Sequence, residues 1–179
     1  MVVVFKKEDI PDWVKVGKNF TFKPPICFGE WSLTFNRDLE TNKFYYPLVQ
    51  RDHPYDIVIG DDVQIGSFVN IDRGSVRDTT IGNGVKVDSS VNIAHNAIIG
   101  DDRILILRCV LLGSSEVGSK CYIGCNSVII EHIKVGNNCF VEAGAIVNRS
   151  MPDNTRAKTY KTRIVGDREH LNSGKKVKW

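Results

Sequence analysis

Aliphatic residues recur along this chain at every sixth position. From Ile81 the ruler lands on Val87, Ile93, Ile99, Leu105, Leu111, Val117, Ile123, Ile129, Val135, Val141 and Val147, without one polar residue. Four steps after each comes a residue that is mostly small or aliphatic, as at Val85, Val91, Ala97, Cys109, Cys121 and Ala145. Ile59, Ile65 and Ile71 obey the same spacing, and Val16, Phe22 and Phe28 follow it more loosely. A period of six suits neither a helix, at about 3.6 residues per turn, nor a strand with simple alternation. It predicts one short strand and one corner per hexad, with an aliphatic side chain pointing inward from each face. Three faces close a triangular coil of 18 residues, and coils stack by parallel backbone pairing. The predicted fold is therefore all-β, a parallel β-helix of hexapeptide repeats with about six coils.

Glycine often follows the inward aliphatic residue, as at Gly60, Gly82, Gly100 and Gly118, and reads as permissive backbone for the corners. The lattice breaks twice. Four extra residues fall around Arg77-Asp78-Thr79-Thr80, and a longer insertion runs from about 34 to 56. Loops expelled at corners leave a stacked core undisturbed and are common carriers of function. The insertion holds Phe44, Tyr45 and Tyr46, with Trp31 just before it, as wall for a ligand or as packing on its own coil. Past Pro152 the pattern ends. The chain is read as a β-helix domain over 1–152 with a loop insertion at 34–56, followed by a basic tail over 153–179 with a short helix near 166–173.

Composition changes this picture little. Apolar residues at 42% and charged residues at 25% belong to a soluble globular protein, and no apolar run approaches the length of a bilayer span. The start, Met1-Val2-Val3-Val4-Phe5 before Lys6-Lys7, is too short for a secretory signal, so the expectation is a cytoplasmic protein. Five cysteines form no CxxC pair, and three of them (Cys109, Cys121, Cys139) fall on an inward phase, where packing is their role. Charge is uneven. Between Arg156 and Trp179 eight Lys or Arg face two acidic residues, a net of +6, leaving about −3 for the rest of a chain whose total is +3. Such an ending is either a solvated tail or, through Arg156, Lys158, Lys161 and Arg163, a partner for an anionic ligand. No nucleic-acid partner is expected.

Stacking makes residues 18 apart neighbours. His95 then lies over Gly113 and Gly113 over Glu131, while Asn96 lies over Ser114 and Ser114 over His132. Counting out the four-residue break, Arg73 sits under His95. An imidazole near neutral pH can take a proton from an attacking amine, worth roughly 10²–10⁴ in rate. A glycine N–H beside it can hold an oxyanion, worth roughly 10²–10³. Asp88, seven residues before His95, is a candidate to orient the ring. The residues alone also allow a polar surface histidine, a corner aspartate like Asp61 or Asp101, and a turn glycine.

Three segments, Ile71-Asp72-Arg73-Gly74, Thr80-Ile81-Gly82-Asn83-Gly84-Val85 and Ile93-Ala94-His95-Asn96, resemble the core of the UDP-3-O-acylglucosamine N-acyltransferases of lipid A synthesis. The resemblance continues through Gly113-Ser114 and Glu131-His132 and spans about residues 28 to 150. It implies a left-handed helix, a homotrimer with sites between subunits, and catalytic roles for His95 as general base, Asp88 as its orienting partner and Gly113 as oxyanion donor. Asp72, Arg73, Asn96 and His132 match substrate-proximal elements. The family's N-terminal nucleotide-recognition domain has no counterpart in residues 1–27, and its C-terminal helices for acyl carrier protein are largely missing. A short basic ending accords better with coenzyme A, whose phosphates suit Arg156, Lys158, Lys161 or Arg163. The reading is acetyl-CoA-dependent N-acetylation of a nucleotide-linked amino sugar, without a metal. The alternatives are acyl-carrier-protein-dependent N-acylation in lipid A synthesis and a non-catalytic β-helix assembly module. A metal hydratase on this fold is disfavoured, because His53, His95, His132 and His170 make no close ligand pair.

Overall fold

A computed structural model of the protein describes residues 2–29, 31–37 and 44–160, with only the backbone described for 31–37 and 44–52. The chain winds into a triangular parallel β-helix of six coils. Face A stacks Ile26–Gly29, Val69–Asp72, Asn92–Ile93, Val110–Leu111, Val128–Ile129 and Ile146–Val147. Face B stacks Val14–Val16, Ile57–Ile59, Thr79–Ile81, Ile98–Ile99, Glu116–Val117 and Lys134–Val135. Face C stacks Thr21–Phe22, Gln64–Ile65, Lys86–Val87, Ile104–Leu105, Tyr122–Ile123 and Phe140–Val141. Most of these strands are two residues long, too short to persist alone. The coils above and below hold them, through bonds such as Gly100 N–H to the Val117 carbonyl at 2.8 Å and Gly118 N–H to the Val135 carbonyl at 2.7 Å.

Register follows the hexads. Ile81 pairs with Ile99, Ile99 with Val117 and Val117 with Val135, each 18 residues on, and the loosely fitting Val16, Phe22 and Phe28 pair with Ile59, Ile65 and Ile71. Across the four-residue break the spacing widens to 22, with Ile59 against Ile81 and Ile71 against Ile93, and the stack continues undisturbed. The inward aliphatic residues form one continuous core in which Ile57, Ile71, Ile93, Ile99, Leu111 and Ile123 are all fully buried. Each contributes about 1.5–3 kcal/mol over exposure.

Three sequence expectations change. The insertion is not an irregular loop: Trp31–Arg37 and Phe44–Asp52 pair as an antiparallel hairpin arm with a bulge at Phe35/Asn36. The repeat does not stop at Pro152 either, since Arg156–Ala157 add to face C against Phe140–Val141 and Met151 bridges to Val135. The proposed helix near 166–173 lies outside the described residues. Glycine's role differs too. The left-handed corner position falls three residues after the inward aliphatic and is mostly filled by other residues, among them Asp62 (φ 57°), Asn96 (61°), Ser114 (59°) and His132 (61°). The glycine directly after the aliphatic is needed for clearance between coils: a Cβ on Gly118 would stand 2.7 Å from the backbone carbonyl carbon of Gly136.

One inward position breaks the apolar rule. Arg103 is fully buried between Val85 and Cys121 in the stack, and none of its three guanidinium nitrogens has a hydrogen-bond partner among the described residues. Burial pushes its pKa down, against the nearby thiol of Cys121 and the carboxylates of Asp101 and Asp102. An uncompensated buried charge costs several kcal/mol, and an apolar replacement of similar shape removes that cost. Arg103→Met is therefore expected to stabilise the fold by about 1–4 kcal/mol, read as a higher midpoint in thermal unfolding. An unchanged or lower midpoint overturns this account of the side chain.

Candidate functional site

His95 occupies the corner between faces A and B, directly after Asn92–Ile93. The ladder fixes its neighbours. Ser114 N–H donates to the His95 carbonyl at 2.9 Å, and His132 N–H to the Gly113 carbonyl at 3.1 Å. The half-buried His95 ring lies flat on Gly113, where a Cβ would meet Cε1 at 2.6 Å and Nε2 at 2.8 Å. Only glycine leaves room for the ring there. Among the described residues nothing accepts from the Gly113 N–H, so this amide is available beside the imidazole.

Asn96 organises the rim from below. Its Oδ1 accepts from the N–H groups of Ser75 (2.8 Å) and Val76 (3.0 Å), and its own N–H donates to Thr79 Oγ1 at 2.9 Å. Its Nδ2 therefore faces the other way, toward Ser75 Oγ (3.0 Å), Ser114 Oγ (3.3 Å) and His95 Nδ1 (2.8 Å). Asn96 is 2% exposed. It is a buried pin that ties the 73–79 break loop to His95. Its amide spends a donor on Nδ1, so a neutral His95 carries its proton on Nε2. A base acting at Nε2 needs the opposite tautomer.

A second imidazole was missed by the sequence reading. His53, where the hairpin arm rejoins the helix, is 2% exposed and stands edge-on to His95, with ring centroids 5.2 Å apart at 61°. Burial lowers the pKa of both rings. For His53 the charge of His95 adds to this and Asp72 opposes it; for His95 the carboxylates of Asp72 and Glu131 oppose it and His132 adds to it. The rim thus favours neutral imidazoles. A lone histidine at a loop junction carries no sequence signal for this. The arm's path creates the contact.

The remaining expected residues divide. Asp72, with Oδ1 accepting from Asn70 Nδ2 at 3.0 Å, lies close enough to act on both imidazoles. His132 is exposed on the same rim, at the corner position two coils from Asn96. Arg73 is in register under His95, but its side chain turns away. It donates to the carbonyls of Tyr55 (2.8 Å) and Pro54 (3.1 Å), stacks 4.7 Å over Trp13 and pairs with Asp56 at 3.7 Å. In this position the side chain braces the break loop against the end of the arm. Asp88 sits at a different corner, between faces C and A, where it accepts from Ser89 N–H at 2.7 Å. It borders a cleft of about 460 Å³ on face C with Lys23, Gln64, Lys86 and Ile106. Within one chain it does not reach His95, whose Nδ1 is met by Asn96 instead. Arg156 lies on face C, paired with Glu142 at 2.7 Å and 5.0 Å from the Phe140 ring, and Lys158 is exposed. Neither is on the corner that carries His95, and Lys161 and Arg163 lie outside the described residues. The three inward cysteines pack as expected, and burial pushes the Cys109 thiol up to about 12.

A prism of stacked hexads is the hexapeptide-repeat form of the β-helix. Residues 114–149 match the bacterial transferase hexapeptide family (six repeats). Over 93 residues the chain is 34% identical to the UDP-3-O-acylglucosamine N-acyltransferase of Delftia acidovorans (strain DSM 14801 / SPH-1), covering 52% of this chain and 28% of that one. The chain thus matches little more than a quarter of the length of such relatives. Among solved structures it is similar to the UDP-N-acetylglucosamine O-acyltransferase of Moraxella catarrhalis RH4, with a TM-score of 0.61 and 25% identity over 76% of this chain and 49% of that one. It also shares its fold with a mutant GDP-perosamine N-acetyl transferase from Caulobacter crescentus, in complex with CoA and GDP-perosamine (TM-score 0.55, 24% identity, 62% of this chain and 51% of that one).

Two outcomes follow from the site's packing. Gly113→Ala should keep the fold, because the side-chain ring can move where backbone cannot, yet displace His95. Thermal unfolding and the shift of the His95 ring signals in nitrogen–proton spectra read the two halves separately. The lowered histidine pKa values also give a sign for acid sensitivity. Below about 6.5 the unfolded chain takes up protons that His53 and His95 refuse in the folded state. Stability should fall as pH drops through that value and level off below the folded-state values, and His53→Gln should flatten the slope of melting temperature against pH.

Proposed function

We propose that this chain is an N-acyltransferase of nucleotide-linked amino sugars, using acetyl-CoA as acyl donor and working in the cytoplasm as a homotrimer. The carrying observation is the His95 ring lying against Gly113, whose N–H has no acceptor among the described residues. Those two groups together suit the carbonyl of a thioester under attack by an amine. The names of the sequence relatives supply the class of acceptor, a UDP-linked amino sugar, and the CoA and GDP-perosamine complex supplies a thioester-derived donor on the same fold. Asp72 and His132, both at this rim, are the candidates to meet the sugar.

Self-association has support in the outward faces. On face A the outward side chains Val110, Leu112, Val128, Ile130 and Ile146 are apolar, and Ile146 is 66% exposed. On face C, Ile104 and Phe140 are 42% and 41% exposed, and Leu107 at the shared corner is 40% exposed. Apolar side chains on two adjacent outward faces suit burial against another copy. A trimer closed over the C–A corner covers both faces and leaves His95, at the far border of face A, beside a neighbouring copy. In that assembly Arg156 and Lys158 on the neighbour's face C are the cations for the coenzyme's phosphates.

Purified protein assayed with acetyl-CoA and a panel of UDP- and GDP-linked amino sugars should release free thiol. His95→Ala should lower that release by at least about 10²-fold while leaving the trimer intact by light scattering. Undiminished turnover removes His95 from the reaction. Transfer only from acyl carrier protein thioesters replaces the donor and keeps the site.

A further inference from the structure

Two carboxylates stand close enough to act on the His95 ring, and only one of them is committed. Asp72 leans onto the coil below: its Oδ1 accepts from Asn70 Nδ2 at 3.0 Å and fills the space that a Cβ on Gly29 would need. Glu131 is exposed and makes no hydrogen bond or ion pair among the described residues. It lies one coil above Gly113, held there by the His132 N–H on the Gly113 carbonyl at 3.1 Å and by the register of Val128–Ile129 on Val110–Leu111. Gly113 presents no side chain, and the three nearest neighbours of a Cβ there are all atoms of the His95 ring. No side chain of this column therefore stands between the imidazole and the Glu131 carboxylate.

We infer that Glu131 is a specificity-determining residue: its carboxylate holds the ammonium group of the acceptor sugar over the His95 ring, so that an amine is taken in preference to a hydroxyl. The inference rests on the reading that His95 stands at the reacting carbon of an acyl transfer.

The prism alone does not choose the acceptor atom, since an O-acyltransferase and an N-acetyl transferase share it. Side chains at the corner have to make the choice. A free amine of the α-amino kind is cationic below about pH 8, whereas a hydroxyl is uncharged throughout that range. A hydrogen bond from the cation to a carboxylate is roughly twice as strong as one between neutral groups. The other charged groups near Glu131 leave that role open. Arg149 is in register one coil above without an ion pair to it, and Lys134 is paired with Glu116 at 3.3 Å. Arg73 is held at the Pro54 and Tyr55 carbonyls, and Arg77 at Glu116. Burial favours the neutral form of His95, and His132 is exposed beside Glu131 in the chain. A cation brought by the ligand is what this carboxylate lacks.

The test is calorimetric binding of two probes to the full chain, UDP-glucosamine and UDP-glucose, which differ by an amine in place of a hydroxyl. At about pH 6.5 the wild type should bind UDP-glucosamine about fivefold more tightly than UDP-glucose. At about pH 9, above the ionisation of the amine, the ratio should fall to about one. Glu131→Gln, a change of one atom at an exposed position, should bring the ratio to about one at both pH values and leave the affinity for UDP-glucose unchanged. No preference in the wild type, undetectable binding of both probes, or a preference that survives in Glu131→Gln overturns the inference. The acyl-transfer reading is judged apart from this, by thiol release with the amino-sugar panel and its loss in His95→Ala. Release that persists without an amine preference at Glu131 leaves that reading standing.

Discussion

The parallel backbone ladder between successive coils governs everything else in this molecule. Backbone N–H groups reach carbonyls one coil away, one residue off the equivalent position, as Ile98 does with Ser115 and Ser114 does with His95. The two-residue strands have no other source of order, and a slip by one residue would expel the inward aliphatic set from the core. Register is therefore rigid. That rigidity brings His95 over Gly113, sets Ser114 against Asn96, and gives a solenoid with no helix at the site the fixed geometry that chemistry needs.

This explains what could be read from residues alone. Inward phase, pairing partners and the proximity of His95 to Gly113 follow from counting, because stacking converts sequence separation into contact. Counting fails where a side chain chooses its direction. Arg73 is in register under His95, yet it turns to the carbonyls of Pro54 and Tyr55, which reach it only because the arm brings its own end back to that coil. Asp88 differs for another reason: seven residues is one hexad plus one, which places it at the preceding corner of its own prism, so only a neighbouring copy could bring such a carboxylate to His95. The corner glycines were sensed through their frequency but for the wrong cause, since the demand is clearance from the next coil's backbone and not a left-handed φ. His53 and the orientation of Asn96 depend on two expelled segments, the arm and the break loop, whose paths no periodicity encodes.

The arm and the break loop leave the helix at the same corner, between faces A and B, on successive coils, and His95 stands at that corner on the next. Ser75 and Val76 hold Asn96; Asn96 holds His95; His53 closes the side of His95 that would otherwise face water. A plain stack of hexads would offer a histidine on an open edge with an unperturbed pKa and two accessible ring nitrogens. The two interruptions dry the ring, occupy one nitrogen and leave the other free. The irregularities of the repeat thus carry its chemistry, while its regular part supplies stiffness.

Arg103 has a consequence for how the solenoid assembles. In a one-dimensional array each coil closes against its neighbours independently, and any junction can zip first. A guanidinium with no hydrogen-bond partner among the described residues must give up its water where the coils of Val85 and Cys121 close around it. That junction therefore carries a desolvation cost that a junction lined only by aliphatic side chains does not, and the solenoid's stability is uneven along its axis.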